Sequence, residues 1–246
     1  MRAHILITDK QTFPVVRDNG FWGVGVKGIP NDFKKVIEEN LKEPKKPYFA
    51  MIADILGTRK GDIVFLYERQ VGFHGIYKIA STPFFDPSKI GSVDETYPIR
   101  IELECLNYFQ KPVPEDLLFS TKEYESKCWV WFYRKIQGSR GIITVNPETA
   151  EVLIELLVKL NGNAINKPNS MKKYPSVKKQ KIKIDLKDLH EDGKLLEDIL
   201  RAWLIKNIDN PNHSGVREIF GPVEDICYFP SPALELFPFS DSLNYG

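Results

Sequence analysis

The chain has 246 residues, of which 42% are hydrophobic, 27% charged and 12% aromatic, enough for one large or two small domains with a true core. That composition excludes a disordered, collagen-like or disulfide-scaffold protein. With 34 Lys and Arg against 33 Asp and Glu the formal net charge is +1, so no global basic field marks a nucleic-acid binder and any such site must be local.

In chain order, His4 to Thr8 reads as a short apolar strand, and Asp9 to Asn19 as a polar segment holding a helical turn before Gly20. Phe21-Trp22-Gly23-Val24 sets large aromatics among glycines. Asp32 to Leu41 has helical spacing, ended by Pro44 and Pro47, and a second short helix is expected over Phe49 to Leu56. Lys60-Gly61-Asp62 is a turn into the β-branched and aromatic strand Ile63 to Tyr67, with Gly72 to Ile79 as its partner. Tyr97 to Asn107 alternates Ile99, Ile101, Leu103 and Cys105 with Arg100, Glu102 and Glu104, which predicts a half-buried strand with its charged side outward.

Trp129 to Phe132 is a further candidate strand, and Gly138-Ser139-Arg140-Gly141 a loop leading into Ile142-Ile143. Asn146-Pro147-Glu148 supplies a cap, a first-position proline and a first-turn acid for a helix to about Leu160, with Gly162 placed to end it. Residues 163–181 lose the apolar pattern and gather lysines and prolines, which predicts a linker. Residues 182–246 form a second unit with a possible strand at Ile182 and Ile184, an amphipathic helix from Lys194 to Ile208 and a proline-punctuated tail.

Few motifs carry chemistry. Gly23-Val24-Gly25-Val26-Lys27-Gly28 spells a dinucleotide fingerprint, but that motif needs a strand running straight into a helix, and Pro30 follows here without an alternating βαβ pattern. The four histidines are scattered, and Cys105, Cys128 and Cys227 lie far apart without a CxxC pair. Neither a metal site, a disulfide framework nor a nucleophile motif results, and no cofactor is implied. The opening residues lack the apolar run of a signal peptide and no apolar stretch approaches about 18 residues, so a cytoplasmic protein with no membrane association is expected. Trp22, Phe84 and Phe85 stand at loop or strand-end positions, where an aromatic held by a sheet can stack on a base for about 1–3 kcal/mol. Packing as satellite core is the competing reading of the same residues.

The order of these segments resembles the EVE domains of the PUA-like superfamily and their YTH relatives. The segments that carry it are His4 to Thr8, Gly20 to Val24, Lys60 to Phe65, Val71 to Tyr77, Phe84-Phe85-Asp86 and Glu95 to Ile101, so that residues 1–162 are covered. The resemblance implies an α+β fold, a curved β-barrel flanked by helices, and a reader that flips a modified base, of the 5-methylcytosine type or N6-methyladenine, into an aromatic pocket. By position Trp22 falls on the first wall, Thr8 and Asp9 on the base edge, and Phe84 and Phe85 near a second wall where the family often carries tryptophan. Arg140 falls on a phosphate-contacting position, with Arg134 and Lys135 nearby.

The implied partner is DNA or RNA carrying a modified base, and a nuclease or other effector is a second possible partner. Glu191 to Asn210 with Arg217 to Pro222 faintly resembles the opening of a PD-(D/E)XK nuclease, with Glu197 as its first acid, but no E-x-K follows and a metal site is incomplete. The expectation is therefore a reader and not an enzyme. A targeting part of a metal-dependent restriction-type nuclease and a general RNA-binding PUA-like module are the alternatives.

Overall fold

A computed structural model describes residues 2–25, 32–36, 48–91, 97–120, 122, 125, 141–161, 172–175 and 178–182. The chain divides into two compact units, Met1–Lys183 and Ile184–Gly246, and every described residue lies in the first. Arg134, Lys135, Arg140, Trp129, Trp131 and the nuclease-like segment with Glu197 lie outside the described residues.

The fold is α+β. Strands β1 (Ala3–Thr8), β2 (Phe21–Val24), β3 (Ile63–Glu68), β4 (Gly72–Ile79), β5 (Phe84–Phe85), β6 (Ile99–Val113), β7 (Ile142–Val145) and β8 (Gln180–Lys181) are joined in the order β7-β1-β3-β4-β6-β5-β8, with β2 also on β6. Helices α1 (Thr12–Asn19), α2 (Tyr48–Leu56) and α3 (Pro147–Asn161) flank the sheet. β1 is parallel to β3 and antiparallel to β7, and lying between them it is buried along its whole length, which is why Ala3, Ile5, Leu6 and Ile7 are apolar and the polar His4 and Thr8 are hydrogen-bonded.

β6 is the longest strand and serves two neighbourhoods. Its latter part pairs with β4, while Ile99 to Glu102 pair with β2 on one edge and, over Ile99 and Arg100, with β5 on the other. β2 would be remote from β1 along this ladder, yet the Trp22 indole nitrogen donates to the Ile7 carbonyl at 3.2 Å. The sheet is therefore curved, bringing β2 up to β1 through a side chain.

One face of the sheet is covered by α3, with Leu153, Leu156 and Leu157 packed among Ile5, Ile7, Phe65, Phe109, Ile143 and Val145. The helix starts as its sequence predicts, with Asn146 Oδ1 accepting from the Thr149 amide at 2.8 Å. α1 ends at Gly20, whose φ of 62° is the left-handed conformation and whose amide returns to the Val16 carbonyl at 3.0 Å. Gly23 belongs to β2, antiparallel to β6, and a Cβ there would come 2.9 Å from that of Tyr97, so close packing is the reason for this glycine.

Two expectations change. Arg100, expected on an outward, charged side of β6, is 1% exposed, because β5 and Tyr174 cover it. The stretch read as a linker is docked where it is described. Tyr174 and Ile182 are buried and β8 pairs with β5. Lysine and proline dominate that segment's composition, but one aromatic and one aliphatic residue are enough to hold it on the sheet.

Candidate nucleic-acid interface

The site is built at the C-terminal end of β1. Thr8 is buried, and its hydroxyl donates to the Tyr67 carbonyl at 2.9 Å, leaving oxygen lone pairs as acceptors. Asp9 follows in the open, where its Oδ1 accepts from the amides of Gln11 (3.0 Å) and Thr12 (2.8 Å) and from the Thr12 hydroxyl (2.9 Å). This turn fixes the start of α1 and the carboxylate together. Partial burial alone would raise the Asp9 carboxyl, but the bonds from Thr12 and Gln11 and the charge of Arg69 outweigh it and hold it below the ordinary value. An ionised, oriented carboxylate of this kind accepts well from an exocyclic amine such as that of cytosine.

Trp22 lies beside this strand end. Trp22 is 4% exposed, and its ring is overlaid by Gly141, where a Cβ would stand 2.9 Å from Cζ2 and 3.2 Å from Cη2. The Ile7 amide in turn donates to the Gly141 carbonyl at 2.8 Å. Thr8, Trp22 and the glycine that follows Arg140 in sequence are thus brought together, with Trp22 covered by backbone.

The two phenylalanines part company. Register places Trp22 opposite Ile101 and Val24 opposite Ile99, which also faces Phe85, so Trp22 and Phe85 share a face of the sheet. Phe84 is opposite Arg100, on the reverse face with Phe21. There Tyr174 meets Phe21 and Phe84 edge-on at 5.5 and 5.2 Å, and the Arg100 guanidinium sits 4.9 Å from the Phe21 ring centre. Tyr174 accepts from Arg100 Nη1 at 2.7 Å and donates to Asp86 Oδ2 at 2.6 Å. Burial would raise the Asp86 carboxyl, but bonds from Ser88 and Tyr174 and the Arg100 charge bring it below its usual value.

The scatter of the four histidines along the sequence gives no sign that His74 adjoins the site. His74 Nε2 lies 2.7 Å from Glu68 Oε2, and the Phe13 ring from α1 stacks on the imidazole at 3.8 Å between centroids. Glu68 is the register partner of Thr8, so this buried pair adjoins the base-edge candidate. Desolvation lowers the His74 pKa more than Glu68 raises it. Alternation of β3 and β4 could place both residues indoors, but only the fold shows that α1 covers them. Elsewhere His4 joins Asp62 (2.8 Å) and Thr144 (3.0 Å) in a buried chain. Among the described residues no group of acids, histidines and cysteines could hold a metal ion, and no helix is long and apolar enough to cross a membrane.

No family model matches the sequence, and no curated protein is significantly similar to it. Among solved structures the chain is similar to that of a protein from Pseudomonas putida, at 14% identity and TM-score 0.41 over 63% of this chain and 98% of that one. It is similar to human THYN1 in complex with DNA containing 5-methylcytosine, at 14% identity and TM-score 0.38 over 63% of this chain and 97% of that one. A third similar structure is the Mmi1 YTH domain, at 12% identity and TM-score 0.36 over 65% and 89%.

Proposed function

We propose that the first unit is a PUA-like nucleic-acid-binding module of the EVE and YTH type that recognises a modified base of the 5-methylcytosine or N6-methyladenine kind. The observation that supports this most is the bond from the Trp22 indole to the Ile7 carbonyl, which holds the ring on the strand end that continues directly into Thr8 and Asp9, the other two positions that the ordered sequence resemblance assigns to base recognition. Recognition takes the base out of its stack. A methyl group adds apolar area that an aromatic wall senses by dispersion and desolvation, while Asp9 takes an exocyclic N–H and Thr8 meets the base edge. Because Gly141 overlies the Trp22 ring, entry of a base requires that backbone to yield. Phe85 shares the Trp22 face and Phe84 supports the sheet from behind. Arg140, with Arg134 and Lys135, supplies phosphate contacts in this reading. The role is that of a reader; a nuclease or effector would be a separate partner.

The test is fluorescence anisotropy at fixed salt with short DNA and RNA oligonucleotides bearing no modification, 5-methylcytosine or N6-methyladenine. One modified oligonucleotide should bind more tightly. Trp22→Ala should erase that preference, a loss of about 1–3 kcal/mol, whereas Trp22→Phe should keep part of it. Arg140→Ala should weaken all sequences alike and shallow the salt dependence. Equal affinity for all oligonucleotides refutes modified-base recognition.

A further inference from the structure

Residues 172–175 and 178–182 form a strap fastened to the sheet at β5 and over Arg100. Its fastenings are the Tyr174 hydroxyl between Arg100 and Asp86, the Lys172 amide donating to the Asp18 carbonyl at 2.8 Å, the β8–β5 ladder and buried Ile182. Lys179 is also used internally. Its ammonium pairs with Glu102 and lies 4.7 Å from the Phe84 ring centre and 5.3 Å from that of Tyr174.

The other four lysines of the strap, Lys172, Lys173, Lys178 and Lys181, are exposed, and no carboxylate pairs with them among the described residues. The acids beneath are already engaged, Glu102 by Lys179 and Asp86 by Arg100 and Tyr174. A lysine run on a free linker is ordinarily just solvated. Here the backbone that bears the lysines is held in place, so much of the ordering cost of binding is already met by folding.

We infer that these four lysines form a second, sequence-independent contact surface for the sugar-phosphate backbone of a nucleic acid, on the segment fastened over Arg100 and Phe84. The inference rests on the reading of this unit as a nucleic-acid binder but not on its preference for a modified base. Charge complementarity selects the occupant. Unpaired ammonium groups displace counterions from phosphates, and binding through them falls with salt in proportion to the number of contacts. Because the strap is fastened to β5, Asp86 and Arg100 and not to β1, its contribution is independent of the base held at β1.

The test uses the full chain with Lys172, Lys173, Lys178 and Lys181 all changed to Gln, and a companion with all four changed to Arg. Affinity for unmodified and 5-methylcytosine single-stranded DNA is measured between about 50 and 200 mM salt. Near-UV circular dichroism and thermal melting establish that both variants fold. The Gln variant should show a slope of log affinity against log salt shallower by about 3, from roughly 0.7 per lost single-strand contact, and the Arg variant should restore it. The ratio of modified to unmodified affinity should stay as in the unsubstituted protein. An unchanged slope in the Gln variant overturns the inference. So does an unchanged DNA slope accompanied by lost binding to phosphatidylserine vesicles, which would assign the strap to a membrane surface. If the unsubstituted protein binds both oligonucleotides equally while the slope still drops, base recognition fails and the strap surface stands. If it binds neither, both fail.

Discussion

Gly141 and Trp22 are in contact, so a single methyl group tests how firmly the ring is held. Gly141→Ala would bring a Cβ to 2.9 Å from Trp22 Cζ2, and the shift needed should cost about 1–3 kcal/mol in chemical denaturation. No loss of stability would show that this backbone yields freely. The buried histidines and their acids define a second test, through pH. His74 has a folded pKa below its ordinary 6.5, so the unfolded chain binds the extra proton more readily. The corresponding stability is present above about pH 6.5 and is lost as pH falls below it. The melting temperature should therefore drop on acidification through that range, and His74→Gln should flatten the drop. At Asp62, burial would raise the carboxyl but the bond to His4, its charge and the Arg59 amide lower it. Its contribution persists above the ordinary 3.8 and disappears as pH falls through the lower folded value, a second and separate decline.

Among the elements, β6 and the strap show where sequence patterning succeeds and where it stops. Strands β3 and β4 were legible from β-branched and aromatic content beside turns, and helix α3 from its cap and spacing, and local signals of that kind need no knowledge of neighbours. The alternation of β6 was equally clear, yet it misassigned Arg100. Whether a strand's polar side meets water depends on what lies across it, and the cover comes from Tyr174, 74 positions further on. Trp22 and Thr8 could be brought together from the resemblance, whereas the separation of Phe84 from Phe85 depends on register, and the His74–Glu68 pair on the packing of α1. The Tyr174 hydroxyl bridges a buried cation and a buried anion, so Tyr174→Phe should leave both short of a partner. A loss of about 1–3 kcal/mol is expected in urea denaturation, with the β6 alternation intact. A neutral result would mean that Arg100 and Asp86, 3.7 Å apart, close on one another without it.

At the scale of the molecule, a net charge of +1 conceals its own distribution: the strap carries four exposed lysines that no carboxylate pairs with among the described residues, while the balance for the whole chain cancels them. The sheet also defines how much chain the first unit needs. A fragment ending at residue 183 should melt cooperatively. One ending at residue 162 lacks Tyr174, β8 and Ile182, uncovers Phe21, Phe84 and Arg100, and should melt at lower temperature and bind a hydrophobic dye. Equal melting of the two fragments would show that the strap adds nothing to the fold. The pairing of β1 with β7, which sets Ala3 against Val145, also governs the order of events at the ribosome. At about 5–20 residues per second, the first strand emerges roughly 7–30 s before its antiparallel neighbour has been made. Throughout that interval Ile5, Leu6 and Ile7 have no β7 to lie against, so synthesis leaves a sticky nascent segment that a chaperone can occupy before the sheet closes.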